Sequence, residues 1–129
     1  VQPTHYFCFI KTLDRSTPLA YIMSVLIIET PIFTRRIQAF LADDGYRVLQ
    51  AYLVNKPEAG KVIPGSGGLR KLRWSAGGQG KRGGIRVIYY WHVLRETMLF
   101  LFVYSKNEQD DLTPEQLKQL KKVIEGEYK

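Results

Sequence analysis

The sequence is poor in the residues that hold metals and cross-links. It has one cysteine, Cys8, and two histidines, His5 and His92, placed far apart. A lone cysteine excludes an internal disulfide and any cysteine-based zinc site. The histidines form no His-x-x-x-His or similar spacing, so no structural metal and no cofactor is expected. No apolar run is long enough to span a bilayer, since the stretch from Ala20 to Ile28 is broken off by Glu29. Residues 1–22 lack a basic start, an uninterrupted hydrophobic stretch and a small-residue cleavage site, which argues against a secretory signal and for a cytoplasmic protein. Acidic residues are also missing from one long segment: between Lys61 and Arg86 there is no Asp or Glu.

What is present fits one domain with a modest core: 129 residues, 14.9 kDa, 45% hydrophobic. The net charge of +7 and pI near 9.6 point toward anionic partners, nucleic acid being the usual one. An acidic protein partner or a solubilising surface would give the same value. Residues 1–22 follow no sustained period, whereas Met23 precedes a clean series of elements. The segment is therefore read as an N-terminal extension upstream of a native start, with 23–129 as the domain. A real N-terminal arm packed on the domain is the alternative.

Val25–Ile28 reads as a short buried strand. Thr30-Pro31 is a helix start, with Thr as N-cap and Pro at the first helical position. Phe33, Ile37, Phe40 and Leu41 follow at helical spacing. Asp43-Asp44-Gly45 breaks this helix, Asp44 can cap a second, and Tyr46, Leu49, Tyr52 and Leu53 line one side of it, giving a helical hairpin. Leu69–Trp74 alternates, with Lys71 and Arg73 facing opposite to Leu72 and Trp74. Ile85–Val93 and Met98–Tyr104 read as strands joined by a turn. Thr113-Pro114-Glu115-Gln116 is a capping box opening a last helix with Leu117, Leu120 and Ile124 as its stripe. The predicted order is β-α-α-β-β-β-α, a small α+β domain with a mainly antiparallel sheet.

Lys61, Arg70, Lys71, Arg73, Lys81, Arg82 and Arg86 crowd one sign of charge into the acid-free segment. A fold keeps such a cluster most readily when an anion neutralises it; a solvated basic face is the plain alternative. Glycines flank the Leu69 strand, at Gly65, Gly67 and Gly68 before it and from Gly77 to Gly84 after it. Glycine lets backbone N–H groups approach a phosphate, or merely makes a pliant loop. A nucleotide P-loop fails, because Ser75 stands where its first glycine should be and Arg82 follows Lys81 where Ser or Thr is needed. A dinucleotide fingerprint fails because the loop opens no helix.

Three motifs, Gly67-Gly68-Leu69-Arg70-Lys71-Leu72-Arg73, then Gly80-Lys81-Arg82-Gly83-Gly84-Ile85-Arg86-Val87-Ile88-Tyr89-Tyr90, then Tyr104-Ser105-Lys106-Asn107-Glu108, resemble the HigB branch of the RelE toxins. The helical hairpin and the Asp111-Leu112-Thr113 helix start match as well, so the resemblance covers about residues 23–125. It implies the toxin of a toxin–antitoxin pair, an endoribonuclease that cleaves mRNA on the ribosome without a metal. It also implies a cognate HigA-like antitoxin with a helix-turn-helix fold. The family's catalytic positions fall on Lys71, Arg73, Arg86 and Lys106.

Side-chain chemistry suggests roles for these four. Arg73 and Arg86 suit phosphate clamping, because a guanidinium offers bidentate geometry and a permanent charge. Lys71 or Lys106 suits an acid or base role, since crowding by like charges eases loss of a lysine proton. Lys61, Arg70, Lys81 and Arg82 are expected to contact RNA or ribosome. Glu108, Tyr104 and His92 are the acid–base candidates, although His92 reads better as a core or sheet-edge histidine, and Glu108 is alternatively a partner for Lys106. The tyrosine that the wider family often carries near its last helix is missing from Gln109–Thr113. Two other functions stay open: a ParE-like inhibitor that acts on DNA gyrase by protein contact, and an RNA-binding module without catalysis.

Overall fold

A computed structural model describes residues 5–11, 23–75 and 84–127. Strands β1 (His5–Lys11) and β2 (Met23–Glu29) lead into helices α1 (Pro31–Phe40) and α2 (Asp43–Asn55). Strands β3 (Lys61–Val62), β4 (Arg70–Trp74), β5 (Ile85–His92) and β6 (Thr97–Ser105) follow, and α3 (Pro114–Glu127) closes the chain. The six strands form one sheet in the order β1-β2-β6-β5-β4-β3, antiparallel throughout except for β2 beside β6. The α+β class with a mainly antiparallel sheet is the expected one, enlarged by two strands. β3 is a two-residue edge. β1 arises in the segment assigned to the N-terminal extension: its β-prone run pairs along β2 from His5↔Glu29 to Lys11↔Met23 and covers that strand's open edge.

The helix starts obey local chemistry. The Thr30 hydroxyl accepts from the Phe33 N–H at 3.2 Å and donates to the Leu101 carbonyl at 2.7 Å, so one side chain caps α1 and ties it to β6. At α3 the capping box closes reciprocally, with Gln116 N–H on the Thr113 hydroxyl (3.1 Å) and Thr113 N–H on the Gln116 side-chain Oε1 (3.0 Å). The break between α1 and α2 falls earlier than predicted. It lies at Leu41-Ala42, and Asp43 and Asp44 form the first turn of α2, where the helix dipole favours acids; Gly45 is inside the helix.

Helices cover both faces of the sheet. Phe33, Ile37, Leu49 and Leu53 pack with Leu72, Ile85, Val87, Tyr89 and Phe100 on one face. Leu120 and Ile124 of α3 pack with Ile88, Leu99, Phe102 and Tyr104 on the other. Between β5 and β6 the register steps from Ile88↔Phe102 to Tyr89↔Phe100, leaving Leu101 as a bulge. Through that bulge, the residues of β6 beyond it keep Tyr104 on the α3 face, opposite Arg86. No helix of the described residues is long and apolar enough to cross a membrane.

Candidate active site

Alternation along β4 sends Leu72 into the α1/α2 core and therefore turns Lys71 and Arg73 to the α3 face. The β4–β5 register sets Arg73 directly opposite Arg86, and the β5–β6 register sets Arg86 opposite Tyr104. Two arginines and a tyrosine thus form one row across three strands, and Lys61, paired with Lys71 at the sheet edge, stands beside it. A cleft of about 450 Å³ opens over this row, lined by Lys61, Lys71, Arg73, Arg86 and Asp110 among others. A second, of about 320 Å³, lies between Arg73, Trp74, Ser75, Gly84 and Arg86.

Arg86 is the unusual member. It is 6% exposed, and its one described hydrogen bond donates from Nη1 to the neighbouring Ile85 carbonyl at 3.3 Å. Among the described residues no carboxylate pairs with it or with Arg73; the described ion pairs are Arg36–Glu108 and Lys71–Asp111. A buried guanidinium beside a second guanidinium is costly unless an anion joins them. Lys71 donates to Asp111 at 3.1 Å, and that bond holds the Asp111 carboxyl below its usual range. Tyr104 is fully buried with its hydroxyl unpartnered among the described residues. Burial, with Asp111 adding to it and Arg86 opposing, pushes its pKa up to about 12.

The remaining candidates separate. Lys106 sits on the turn after β6, exposed, with its N–H on the Gly84 carbonyl at 3.1 Å, which docks the turn against the start of β5. Glu108 does not pair with Lys106. Its carboxylate accepts from the Arg36 guanidinium and from the Ser105 N–H (2.9 Å), so it is already engaged in holding that turn to α1. His92 ends β5, six residues beyond Arg86 and so roughly 20 Å away along the strand, with Nδ1 accepting from the Arg95 N–H. That placement removes it from the cluster. Arg70, half-buried, donates to the carbonyls of Gly60 (2.8 Å) and Glu58 (3.3 Å), pinning the loop before β3. Gly65, Gly67 and Gly68 take positive φ in the turn before β4, at the end of that strand away from Arg73. Lys81 and Arg82, with most of the second glycine run, lie outside the described residues.

Gly60 packs between Tyr89 and the backbone of Lys71. Its N–H donates to the Tyr89 hydroxyl at 2.9 Å, which itself donates to the Pro57 carbonyl at 2.7 Å. A Cβ at position 60 would lie 2.8 Å from the Tyr89 ring and 3.1 Å from the Lys71 backbone. The sequence marks Asp111 only as part of a helix start; the signal for a site role is an Asp-Asp pair placed between the Lys106 turn and the last capping box. No group of His, Cys, Asp and Glu among the described residues is arranged to hold a metal ion.

A model of the RelE toxin of the RelE/RelB toxin–antitoxin system matches residues 51–127. The match runs from the middle of α2 through α3 and contains Lys71, Arg73, Arg86, Tyr104, Lys106 and Asp111. With more than half of the sequence matched and an α+β fold of the expected class, the chain belongs to the RelE toxin family of toxin–antitoxin systems.

Proposed function

We propose that the chain is a HigB-type toxin that cleaves mRNA on the ribosome and so stops translation. The observation that carries this reading is the buried Arg86 guanidinium, set opposite Arg73 with no carboxylate partner among the described residues. Such a pair has the geometry and the charge deficit that a phosphate corrects. Metal-independent RNA cleavage proceeds by attack of a ribose 2′-oxygen on the adjacent phosphorus. The P–O2′ bond forms, the P–O5′ bond breaks, the 2′-OH loses a proton and the 5′-oxygen gains one.

Arg73 and Arg86 bind the non-bridging oxygens and stabilise the extra negative charge of the phosphorane. Lys71 donates to the departing 5′-oxygen. When the phosphate draws Lys71 from Asp111, that carboxylate regains the basicity the lysine had suppressed and accepts the 2′-proton. Lys61 and Lys106 steer the strand, and the Tyr104 ring packs the row beside Arg86. A cognate HigA-like antitoxin neutralises the toxin, which acts in the cytoplasm where ribosomes are. The toxin domain spans 23–129, with β1 as an added edge strand.

The test incubates the chain with programmed ribosomes and maps the mRNA ends, expecting 2′,3′-cyclic phosphate and 5′-OH termini. Arg73→Ala and Arg86→Ala should each slow cleavage about 10²–10³-fold, the usual loss for one donor to a developing charge. Retained cleavage in both variants, or inhibition of gyrase supercoiling in place of cleavage, sinks the reading. Binding that weakens without any cleavage by the parent chain would instead mark a passive RNA-binding module.

A further inference from the structure

The sheet face turned away from the clamp carries an opening that cleavage chemistry does not use. Trp74 follows Arg73 on β4 and points to the α1/α2 side, half-buried, its ring tilted against Tyr52 at 5.1 Å between centroids. Around its free side a cleft of about 550 Å³ is lined by Phe40 and Leu41 from the end of α1, Asp44 and Val48 from α2, and Arg73 and Trp74. Val48 is 59% exposed, an apolar side chain left in water on a helix whose other apolar residues are buried or half-buried. β3 pairs only with Arg70 and Lys71, so the outer edge of β4 at Trp74 has no described neighbour.

This cleft adjoins the clamp at Arg73. Arg73 lines it together with both clefts on the α3 face, and Trp74 and Ser75 are shared with the Arg73–Arg86 cleft. The chemistry changes along that path. Beyond Arg73 the walls are aromatic and aliphatic, and the other charge is the carboxylate of Asp44, which repels a second phosphate. A flat uncharged ring attached to the strand in the clamp is the occupant that suits both ends.

We infer that this pocket takes a nucleobase of the bound RNA, stacked on Trp74, while Arg73 and Arg86 hold the adjoining phosphate. The inference rests on the clamp reading above and adds a base-stacking residue to it. Base–aromatic stacking is sequence-tolerant but geometrically demanding, so Trp74 would set which nucleotide sits in register with the cleaved bond.

The test uses the full chain with Trp91→Phe, which leaves Trp74 as its one tryptophan. The probes are a 2′-O-methyl trinucleotide, which has no attacking hydroxyl, and its abasic counterpart, each dye-labelled and titrated at low salt. Both should raise dye anisotropy, but only the base-containing probe should quench tryptophan fluorescence, and it should bind about 5- to 100-fold tighter, the range for one stacked base. Val48→Glu should abolish the quenching and the affinity difference while leaving abasic binding intact. Equal binding of the two probes without quenching, or quenching that survives Val48→Glu, overturns the pocket and leaves the clamp standing. Binding indifferent to Arg73→Ala and Arg86→Ala overturns the clamp itself, and an absence of saturable binding by either probe overturns both.

Discussion

Glu29 and Arg86 are buried to nearly the same depth, at 2% and 6% exposure, yet their surroundings differ in kind. Glu29 accepts hydrogen bonds from the Thr34 hydroxyl (2.6 Å) and from the Tyr46 hydroxyl, one on each carboxylate oxygen. Arg86 has five N–H donors and spends one on an adjacent carbonyl while facing a second guanidinium. The first charge is answered from within the fold and locks β2 to α1 and α2. The second is left with donors open toward a cleft. Burial alone does not distinguish a structural charge from a functional one; the inventory of partners does.

That contrast predicts opposite responses. Arg86→Met should lower ribosome-dependent cleavage about 10²–10³-fold, while its urea midpoint stays level or rises, since an unmatched buried charge is replaced by an apolar chain. Glu29→Ala should do the reverse, costing about 1–3 kcal/mol in urea unfolding by taking the carboxylate acceptor from the part-buried Tyr46 hydroxyl and one acceptor from Thr34, with cleavage per folded molecule kept. If Arg86→Met proved the destabilised variant and Glu29→Ala the inactive one, the distinction would collapse.

A smaller effect sharpens it further. Asp111→Asn removes the countercharge of Lys71, so RNA should bind a few-fold tighter at low salt while cleavage slows, because the proposed proton acceptor is gone. Faster cleavage in this variant would demote Asp111 to a competitor for the phosphate site. The smallest effect appears only in alkali. Tyr104 titrates near 10 in the unfolded chain and near 12 when folded, so the folded state binds the proton more tightly. Its contribution is fully present below pH 10 and is lost as pH rises through 12. Thermal melts across that range should show a shallower decline for Tyr104→Phe than for the parent; identical slopes would contradict the buried, unpartnered hydroxyl.

Much of this was legible in the sequence because it is governed by neighbours in the chain. Thr30-Pro31 and the Thr113–Gln116 box declare helix starts through contacts three residues apart. Alternation on β4 separates Lys71 and Arg73 from Leu72. What escaped depends on distance along the chain. The Arg73↔Arg86 pairing follows from the register of two strands, which no local pattern fixes. Glu108 is claimed by Arg36 from 72 positions away, and Arg70 by carbonyls of a loop, so both look available in sequence and are occupied in the fold. β1 escaped for a different reason: its run of apolar residues has no period of its own and becomes a strand against the edge of β2.

Gly60 shows how far a site can extend beyond its chemistry. It has no side chain and touches no proposed substrate atom, yet the Tyr89 ring and the Lys71 backbone leave no space for even a methyl group. In a survey of random single substitutions, position 60 would therefore score alongside the arginines, with every replacement defective. A mutational map of this protein will contain such silent essential positions, and only the contacts around them separate a spacer from a reagent.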